Sequence, residues 1–235
     1  ILLPKGSAIG KIGLLSLLQT VLQYLFFYIG LAHTTGVKAS IIEAVSTFVA
    51  ILVAGYLFHQ ETVTSRKMLG CLIGFAGVVL VNVAGSGMDF HFSPAGDGCI
   101  LLSTVAYAFS SVCMKRFSQK EDPVMLSGYQ FILGGIVMIA CGAAMGGHLK
   151  AFTASAAALL IYMAMISAVA YSLWGMLLKY NPVSKVTVFG FMNPVIGVIL
   201  SALLLNETES LGVSSVLALG LVCVGIYIVN AKDKD

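Results

Sequence analysis

The chain has 235 residues, of which 59% are hydrophobic and only 10% are charged, and its formal net charge is +3. Soluble domains carry about 25% charged residues, which cover the surface that faces water. This composition argues against a soluble enzyme, a nucleic-acid-binding protein and a disordered chain. It indicates an integral membrane protein.

Long uncharged runs predict eight transmembrane helices. The runs are continuous rather than alternating, which favours helices over the strands of a membrane barrel. Of the 23 charged residues, only Glu43 lies inside a run. The predicted spans are Ile12–His33, Ile41–His59, Met68–Ala84, Gly98–Met114, Met125–Gly147, Ala157–Leu178, Val186–Leu205 and Leu211–Asn230.

The basic residues are distributed unevenly between the predicted loops. If the chain starts in the cytoplasm, 11 of the 13 Lys and Arg residues fall on that side, and only Lys38 and Lys150 fall on the other. The positive-inside rule therefore predicts a multi-pass protein of the plasma membrane (the inner membrane of a bacterium) with both termini cytoplasmic. The predicted partners include the lipid bilayer and exclude nucleic acid.

Two stretches of the sequence resemble each other. Gln60-Glu61-Thr62 and Asn206-Glu207-Thr208 each follow an apolar run and precede a glycine-rich run. The predicted topology puts Glu61 inside and Glu207 outside, so the copies are inverted, as is common among secondary transporters. Two further helices precede the second copy alone. We therefore expect a ten-helix, 5+5 protein of which this chain lacks the first two helices; an unrelated extra hairpin is the alternative.

This interpretation divides the chain into four parts. Residues 1–84 form the last three helices of the first repeat, and residues 85–97 form an external linker. Residues 98–231 form the second repeat of five helices, and residues 232–235 form a cytoplasmic tail.

These motifs resemble the EamA-type carriers of the drug/metabolite transporter superfamily. The resemblance rests on Gln60-Glu61-Thr62 with the glycine-rich run 70–80, and on Asn193-Pro194 and Asn206-Glu207-Thr208 in the second copy. It implies two inverted halves of five helices, alternating access and, in many members, export of a small metabolite. The family usually has a proline in the helix before each glutamate. Pro194 fits this pattern, whereas Phe48 occupies the equivalent position in the first copy.

Glu43 is the leading candidate for a functional residue, because an ionisable group at membrane depth is costly. We expect it to bind substrate or a coupling proton or ion. The alternative is an interfacial carboxylate that pairs with Lys38, five residues upstream.

Polar and aromatic side chains at helical spacing predict a surface that lines the substrate path. The alternative is hydrogen bonding between packed helices, worth about 0.6 kcal/mol each. For Tyr171 and Trp174, anchoring at the membrane interface is a further alternative. Pro194 is a predicted hinge, because its ring removes a backbone donor and frees an upstream carbonyl. The other candidates are Gln19, Gln23, Tyr24, Thr47, Tyr107, Gln130 and Asn193.

The spacings Gly70–Gly74 and Gly142–Gly146 predict close helix packing, and Gly74 with Gly77 is also a candidate homodimer face. The sequence contains no nucleotide-binding, metal-binding or nucleophile motif, so we expect no cofactor and no enzyme activity. The predicted function is a secondary transporter that moves a small metabolite, such as an amino acid or a related amphiphile, out of the cell. The alternatives are a membrane scaffold or receptor that transports nothing and, less favoured, an intramembrane enzyme.

Overall fold

The computed structural model describes residues 3–83, 92–147, 153–196, 200 and 213–231, and all regular structure in these residues is helical. We number the helices in chain order. They are α1 (Gly6–Leu31), α2 (the consecutive segments Gly36–Ala44, Ser46–Leu52 and Val53–Leu57), α3 (Ser65–Val83), α4 (Pro94–Ser118), α5 (Pro123–Ala144), α6 (Ala154–Tyr180), α7 (Val183–Ile196) and α8 (Val213–Asn230).

Five of the described helices, α1, α2, α4, α5 and α6, are long and apolar enough to cross a bilayer. The helical membrane class predicted from composition is therefore confirmed. The most apolar stretch of α6 has no buried residue, so this helix presents a broad apolar surface. The number of eight spans and their inverted arrangement stay predictions, and much of the predicted span Val186–Leu205 lies outside the described residues.

Several helices begin a few residues before the predicted spans, because each starts at a polar capping residue that a hydropathy window leaves out. Thr35 starts α2, Ser93 starts α4, Asp122 starts α5 and Thr153 starts α6. Each side-chain oxygen accepts a hydrogen bond from the backbone N–H three residues later. The first turn of α4 therefore takes up residues 94–97, which the sequence had assigned to the external linker.

Wide π-helical turns interrupt the α-helical geometry at three places. They cover Ser16–Leu22 in α1, Val53–Leu57 in α2 and Pro94–Gly98 at the start of α4. Such turns are rare and occur frequently at functional sites. The turn in α1 carries buried Ser16, Gln19 and Thr20, so it positions a polar surface inside the helix bundle.

The buried apolar residues that the structure describes form two clusters, each of which packs a group of neighbouring helices. One cluster joins α1, α4 and α5 through residues such as Leu15, Val112 and Leu126. The other joins α3, α7 and α8 through residues such as Val78, Phe191 and Val222. Helices α2 and α7 contribute to both clusters, so they connect the two groups.

Glycines allow α3 and α8 to pack at backbone contact. A Cβ atom on Gly70 would lie 2.9 Å from the carbonyl oxygen of Gly225, and one on Gly77 would lie 2.8 Å from that of Ala218. A Cβ on Gly74 would lie 2.5 Å from the ring of Phe191. Close packing was predicted correctly for Gly70 and Gly74 but wrongly for Gly142 and Gly146, where an added Cβ would meet nothing within 4 Å among the described residues. The suggested homodimer face at Gly74 and Gly77 is also wrong, because contacts within the chain occupy both glycines.

Candidate functional site

A buried amide pair connects α1 to α5. The Nε2 of Gln130 donates a hydrogen bond to the Oε1 of Gln19 at 3.0 Å, across 111 residues of sequence. The two side chains are 0% and 3% exposed. Gly134 permits this contact, because a Cβ there would lie 2.4 Å from the Cβ of Thr20. Two of the predicted site residues are therefore brought together between these helices.

A second polar contact connects α1 to α6. The hydroxyl groups of Tyr24 and Tyr171 are 2.7 Å apart and share a hydrogen bond. The ring of Phe131, next to Gln130, meets the ring of Tyr171 edge-on at a centroid distance of 4.7 Å. The tyrosine pair therefore lies beside the amide pair, joined to it through α5.

Helix α4 adds aromatic groups to the same interior. The rings of Tyr107 and Trp174 are 6.3 Å apart between their centroids. Tyr107 also lies within electrostatic range of Tyr24 and Tyr171. We call the six residues that these contacts unite the interior cluster: Gln19, Tyr24, Tyr107, Gln130, Tyr171 and Trp174.

Glu43 lies at the edge of the interior cluster. Its carboxylate is within electrostatic range of Tyr24, Tyr107 and Tyr171. Among the described residues it has no hydrogen bond or ion pair. The suggested pairing with Lys38 is wrong, because the ammonium group of Lys38 is instead 3.9 Å from Asp97. Glu43 is therefore a partly buried charge without a counterion in the described part of the chain.

Several buried polar atoms in this region lack a hydrogen-bond partner among the described residues. Buried polar groups are normally paired, so such atoms indicate where water or a ligand binds. The interior cluster contributes two of them, the Oε1 of Gln130 and the indole Nε1 of Trp174. The others on these four helices are Gln23 Oε1, Thr20 Oγ1, Ser103 Oγ and Ser111 Oγ.

Three predicted site residues lie elsewhere. The hydroxyl of Thr47 donates to the carbonyl of Thr187 at 3.1 Å, which ties α2 to α7. Asn193 is exposed. Pro194 lies three residues after the end of the 3₁₀ turn Val188–Phe191, and its ring leaves it without an N–H to donate to the helical hydrogen bonds. Contacts within the cluster do not include these residues, and their substrate and hinge roles stay predictions.

The carboxylate of Glu61 holds together the end of the bundle where α2 meets α3. It accepts hydrogen bonds from the backbone N–H and the hydroxyl of Ser184, at the start of α7, and from the ammonium group of Lys67 at 2.9 Å. Nearby, Lys115 donates to the carbonyl of Asn181 at 2.7 Å. We call this end, with Glu61, Lys67, Lys115, Asn181 and Ser184, the Glu61 network.

At the opposite end, Asp97 connects the turn between α1 and α2 to the start of α4. Its carboxylate accepts hydrogen bonds from the hydroxyl of Thr34 and from the backbone N–H of Ser93, and it faces Lys38. We call these four residues the Asp97 network. No role was predicted from the sequence for Glu61 or Asp97. A carboxylate close to the start of a helix is the sequence signal that could have indicated their capping roles.

Two cavities stand out among the described residues. Neither lies between the amide pair and the tyrosine pair, although the second borders Trp174 of the interior cluster. One of about 500 Å³ opens between α2 and α3 beside Tyr56 and Met68. The other, of about 150 Å³, lies between α6, α7 and α8 beside Trp174 and Lys185. The described residues contain no group of three or more His, Cys, Asp or Glu side chains that could hold a metal ion.

Comparison with known proteins identifies the family. The EamA-like transporter family model matches residues 1–83 and 94–231. The chain belongs to this family. A solved crystal structure has a similar fold, with a TM-score of 0.82 over 97% of this chain and 79% of that chain, at 18% sequence identity.

Relatives of this EamA-family protein occur in plants, archaea and bacteria. It is 28% identical to a chloroplastic WAT1-related protein of Arabidopsis thaliana, over 99% of this chain but only 58% of that protein. An uncharacterized transporter of Archaeoglobus fulgidus is 29% identical, with 99% and 80% covered. The uncharacterized transporter YvbV of Bacillus subtilis is 27% identical, with 93% and 71% covered. The match to the family model therefore confirms the EamA family that the sequence motifs predicted.

Proposed function

We propose that this protein is a secondary transporter that moves a small metabolite across the plasma membrane by alternating access. Membership of the EamA-like transporter family supports this role. The observation that carries the proposal is the group of six buried polar atoms on α1, α4, α5 and α6 that have no partner among the described residues. Polar groups inside a membrane protein are expensive, and they mark substrate paths.

The chemistry of the interior cluster suits an amphiphile, such as an amino acid or a related compound. Rings of Tyr24, Tyr107 and Trp174 offer apolar surfaces on which a substrate body can stack. The amides of Gln19 and Gln130 offer donors and acceptors for its polar head, and Gln23 adds an unpaired acceptor. A few convergent polar groups on an apolar wall are typical of small-molecule sites.

Glu43 is proposed as the coupling residue. A carboxylate that lacks a counterion can exchange a proton or bind a cation as its surroundings change between conformations. Glu43→Gln keeps the shape of the side chain but cannot exchange a proton. We expect this variant to bind substrate and to catalyse counterflow, while it fails to accumulate substrate against a gradient. Unchanged gradient-driven uptake by Glu43→Gln would rule out the coupling role.

Alternating access requires that one end of the path closes while the other opens. We propose that the Glu61 network closes the cytoplasmic end and that release of Ser184 from Glu61 opens it. The inverted repeat predicts an equivalent role for Glu207 at the external end. Pro194 would act as a hinge in α7, and Asn193 and Thr47 would meet the path in another conformation. Efflux is the proposed direction, with both termini cytoplasmic.

Transport by the purified chain in liposomes tests the proposal. A resistance screen with cells that overproduce the protein first identifies a metabolite, which is then measured by counterflow without ATP. We expect Gln19→Ala and Gln130→Ala to lower the rate at least tenfold, because each removes a buried amide from the path. Gln119→Ala is the matched control, since Gln119 is exposed and bonds to backbone carbonyls.

The outcomes separate the proposal from its alternatives. Equal counterflow by Gln19→Ala, Gln130→Ala and the wild type would show that the interior cluster is not the substrate path. Strict dependence on ATP would exclude a secondary transporter. Asn193→Ala tests the second half of the chain in the same assay, and loss of transport with normal membrane insertion supports its predicted role.

A further inference from the structure

A groove of about 150 Å³ lies at the same end of the bundle as the Glu61 network, and it touches the interior cluster only at Trp174. Helix α6 contributes Trp174 and Leu177, the following turn contributes Asn181, and α7 contributes Lys185 and Phe189. Asn230 closes the groove from α8. Since a water molecule occupies about 30 Å³ in the liquid, this volume suits a small polyatomic group rather than a single water.

Lys185 is the charged residue in the groove, and its ammonium group has no hydrogen bond or ion pair among the described residues. Three other lysines at this end have partners. Lys11 pairs with Glu121 at 2.6 Å, Lys67 pairs with Glu61 at 2.9 Å, and Lys115 donates to the carbonyl of Asn181. Lys185 therefore gives the groove a positive charge that the described residues leave uncompensated.

The groove opens towards an apolar surface. Leu177 and Phe189, which line it, are each 50% exposed, and Leu173 continues the same exposed face of α6. Tyr180 lies at the end of α6, and its ring lies under the ammonium group of Lys179. Aromatic and basic residues at the end of an apolar helix are typical of the headgroup region of a bilayer. A ligand with an anionic head and apolar chains would satisfy both parts of this surface.

We propose that this groove binds the phosphate of an anionic phospholipid from the adjacent leaflet. The phosphate meets Lys185, and the acyl chains extend along Leu177 and Leu173. The side-chain amides of Asn181 and Asn230 each donate one N–H to a carbonyl of their own helix, of Leu177 and of Ile226, so the second N–H of each is the donor left for the phosphate. Basic pockets between transmembrane helices on the cytoplasmic side are known sites for such headgroups. The site joins α6, α7 and α8, so a bound lipid would stabilise their packing. This inference does not depend on the proposed transport activity.

The test measures how lipid changes thermal unfolding of the full chain in phosphatidylcholine nanodiscs, with and without phosphatidylglycerol. Native mass spectrometry of the same protein variants, purified in detergent, counts the lipid molecules that stay bound to each. The variant is Lys185→Ala, and the control is Lys120→Ala, an exposed lysine outside the groove. Lys185→Arg keeps the charge and is the conservative variant. Inorganic phosphate and glycerol 3-phosphate are the soluble probes.

We expect phosphatidylglycerol to raise the unfolding temperature of the wild type, Lys120→Ala and Lys185→Arg. Lys185→Ala should lose most of this shift and should bind phosphatidylglycerol about fivefold more weakly. Because the readout is the shift caused by lipid, a lower starting stability of Lys185→Ala does not obscure it. Equal shifts for Lys185→Ala and Lys120→Ala would overturn the proposal. Equal stabilisation by either soluble probe would also overturn it, since a free anion would then be the ligand.

Discussion

The carboxylate of Glu61 accepts hydrogen bonds from both the backbone N–H and the hydroxyl of Ser184, 123 residues later in the chain. Ser184 lies in the first turn of α7, where backbone N–H groups have no partner within the helix. A negative charge at this position also interacts favourably with the helix dipole. Glu61 therefore acts as an N-terminal cap supplied by a different helical hairpin, and it ties the two halves of the chain together.

The ion pair between Glu61 and Lys67 makes this contact costly to disturb. Lys67 is only 6% exposed, so Glu61→Gln leaves a buried ammonium group without its counterion. We expect this variant to lower the free energy of unfolding by about 3–5 kcal/mol, measured by denaturation in detergent. Lys67→Met in the same chain should restore part of the loss, because it removes the unpaired charge. Lys120→Met, at an exposed position, should stay within about 0.5 kcal/mol of the wild type.

A double-mutant cycle distinguishes this pairing from two independent effects. If the losses of Glu61→Gln and Lys67→Met simply add in the double variant, the two residues are not coupled, and the assigned ion pair contributes nothing to stability.

The hydrogen bond between Tyr24 and Tyr171 provides a second test, because each hydroxyl is the partner of the other. We expect Tyr24→Phe and Tyr171→Phe each to cost about 1 kcal/mol of stability. The double variant should cost little more than either single one, since the first substitution already breaks the bond. Tyr28→Phe is the matched control: it removes a hydroxyl from the same helix at a residue that is 61% exposed. Additive losses in the double variant would contradict the shared bond.

The sequence was sufficient to predict the membrane class, the approximate positions of the five long apolar helices and the family, because hydropathy and the repeated Glu-Thr turns are local signals. It also selected the residues of both the amide and the tyrosine pairs. It could not pair Gln19 with Gln130, since helical spacing defines a face but not the helix that the face meets. The π turn that carries Gln19 has no clear sequence signal, and Asp97 was placed in a loop because charge interrupts a hydropathy window.

Asp97 should contribute more to stability than an ordinary helix cap. It is buried, and its carboxylate joins the turn between α1 and α2 to the start of α4 through Thr34 and Ser93. We expect Asp97→Ala to cost about 2–3 kcal/mol, because it leaves two partly buried donors, the hydroxyl of Thr34 and the N–H of Ser93, unpaired. Asp122→Ala removes the cap of α5, a single bond to the N–H of Met125, and should cost about 1 kcal/mol. Equal losses in denaturant unfolding would show that Asp97 acts only as a local cap.

The contact between α3 and α8 predicts opposite effects for the same substitution at two glycines of one helix. A Cβ on Gly225 would lie 2.6 Å from both the carbonyl oxygen of Gly70 and the nitrogen of Gly74, and these backbone atoms cannot rotate away. Gly225→Ala must therefore separate the helices, and we expect a loss of about 1–3 kcal/mol.

Gly220 is the control, because a Cβ there would meet none of the described residues within 4 Å. Gly220→Ala should be neutral or should stabilise the protein by up to about 1 kcal/mol, since alanine lowers the entropy cost of forming the helix. Unfolding in detergent measures both variants, and cysteine cross-linking between α3 and α8 reports their separation. Because the two substitutions add the same methyl group to α8, a shared effect would come from helix propensity. A loss confined to Gly225→Ala can come only from the contact with α3.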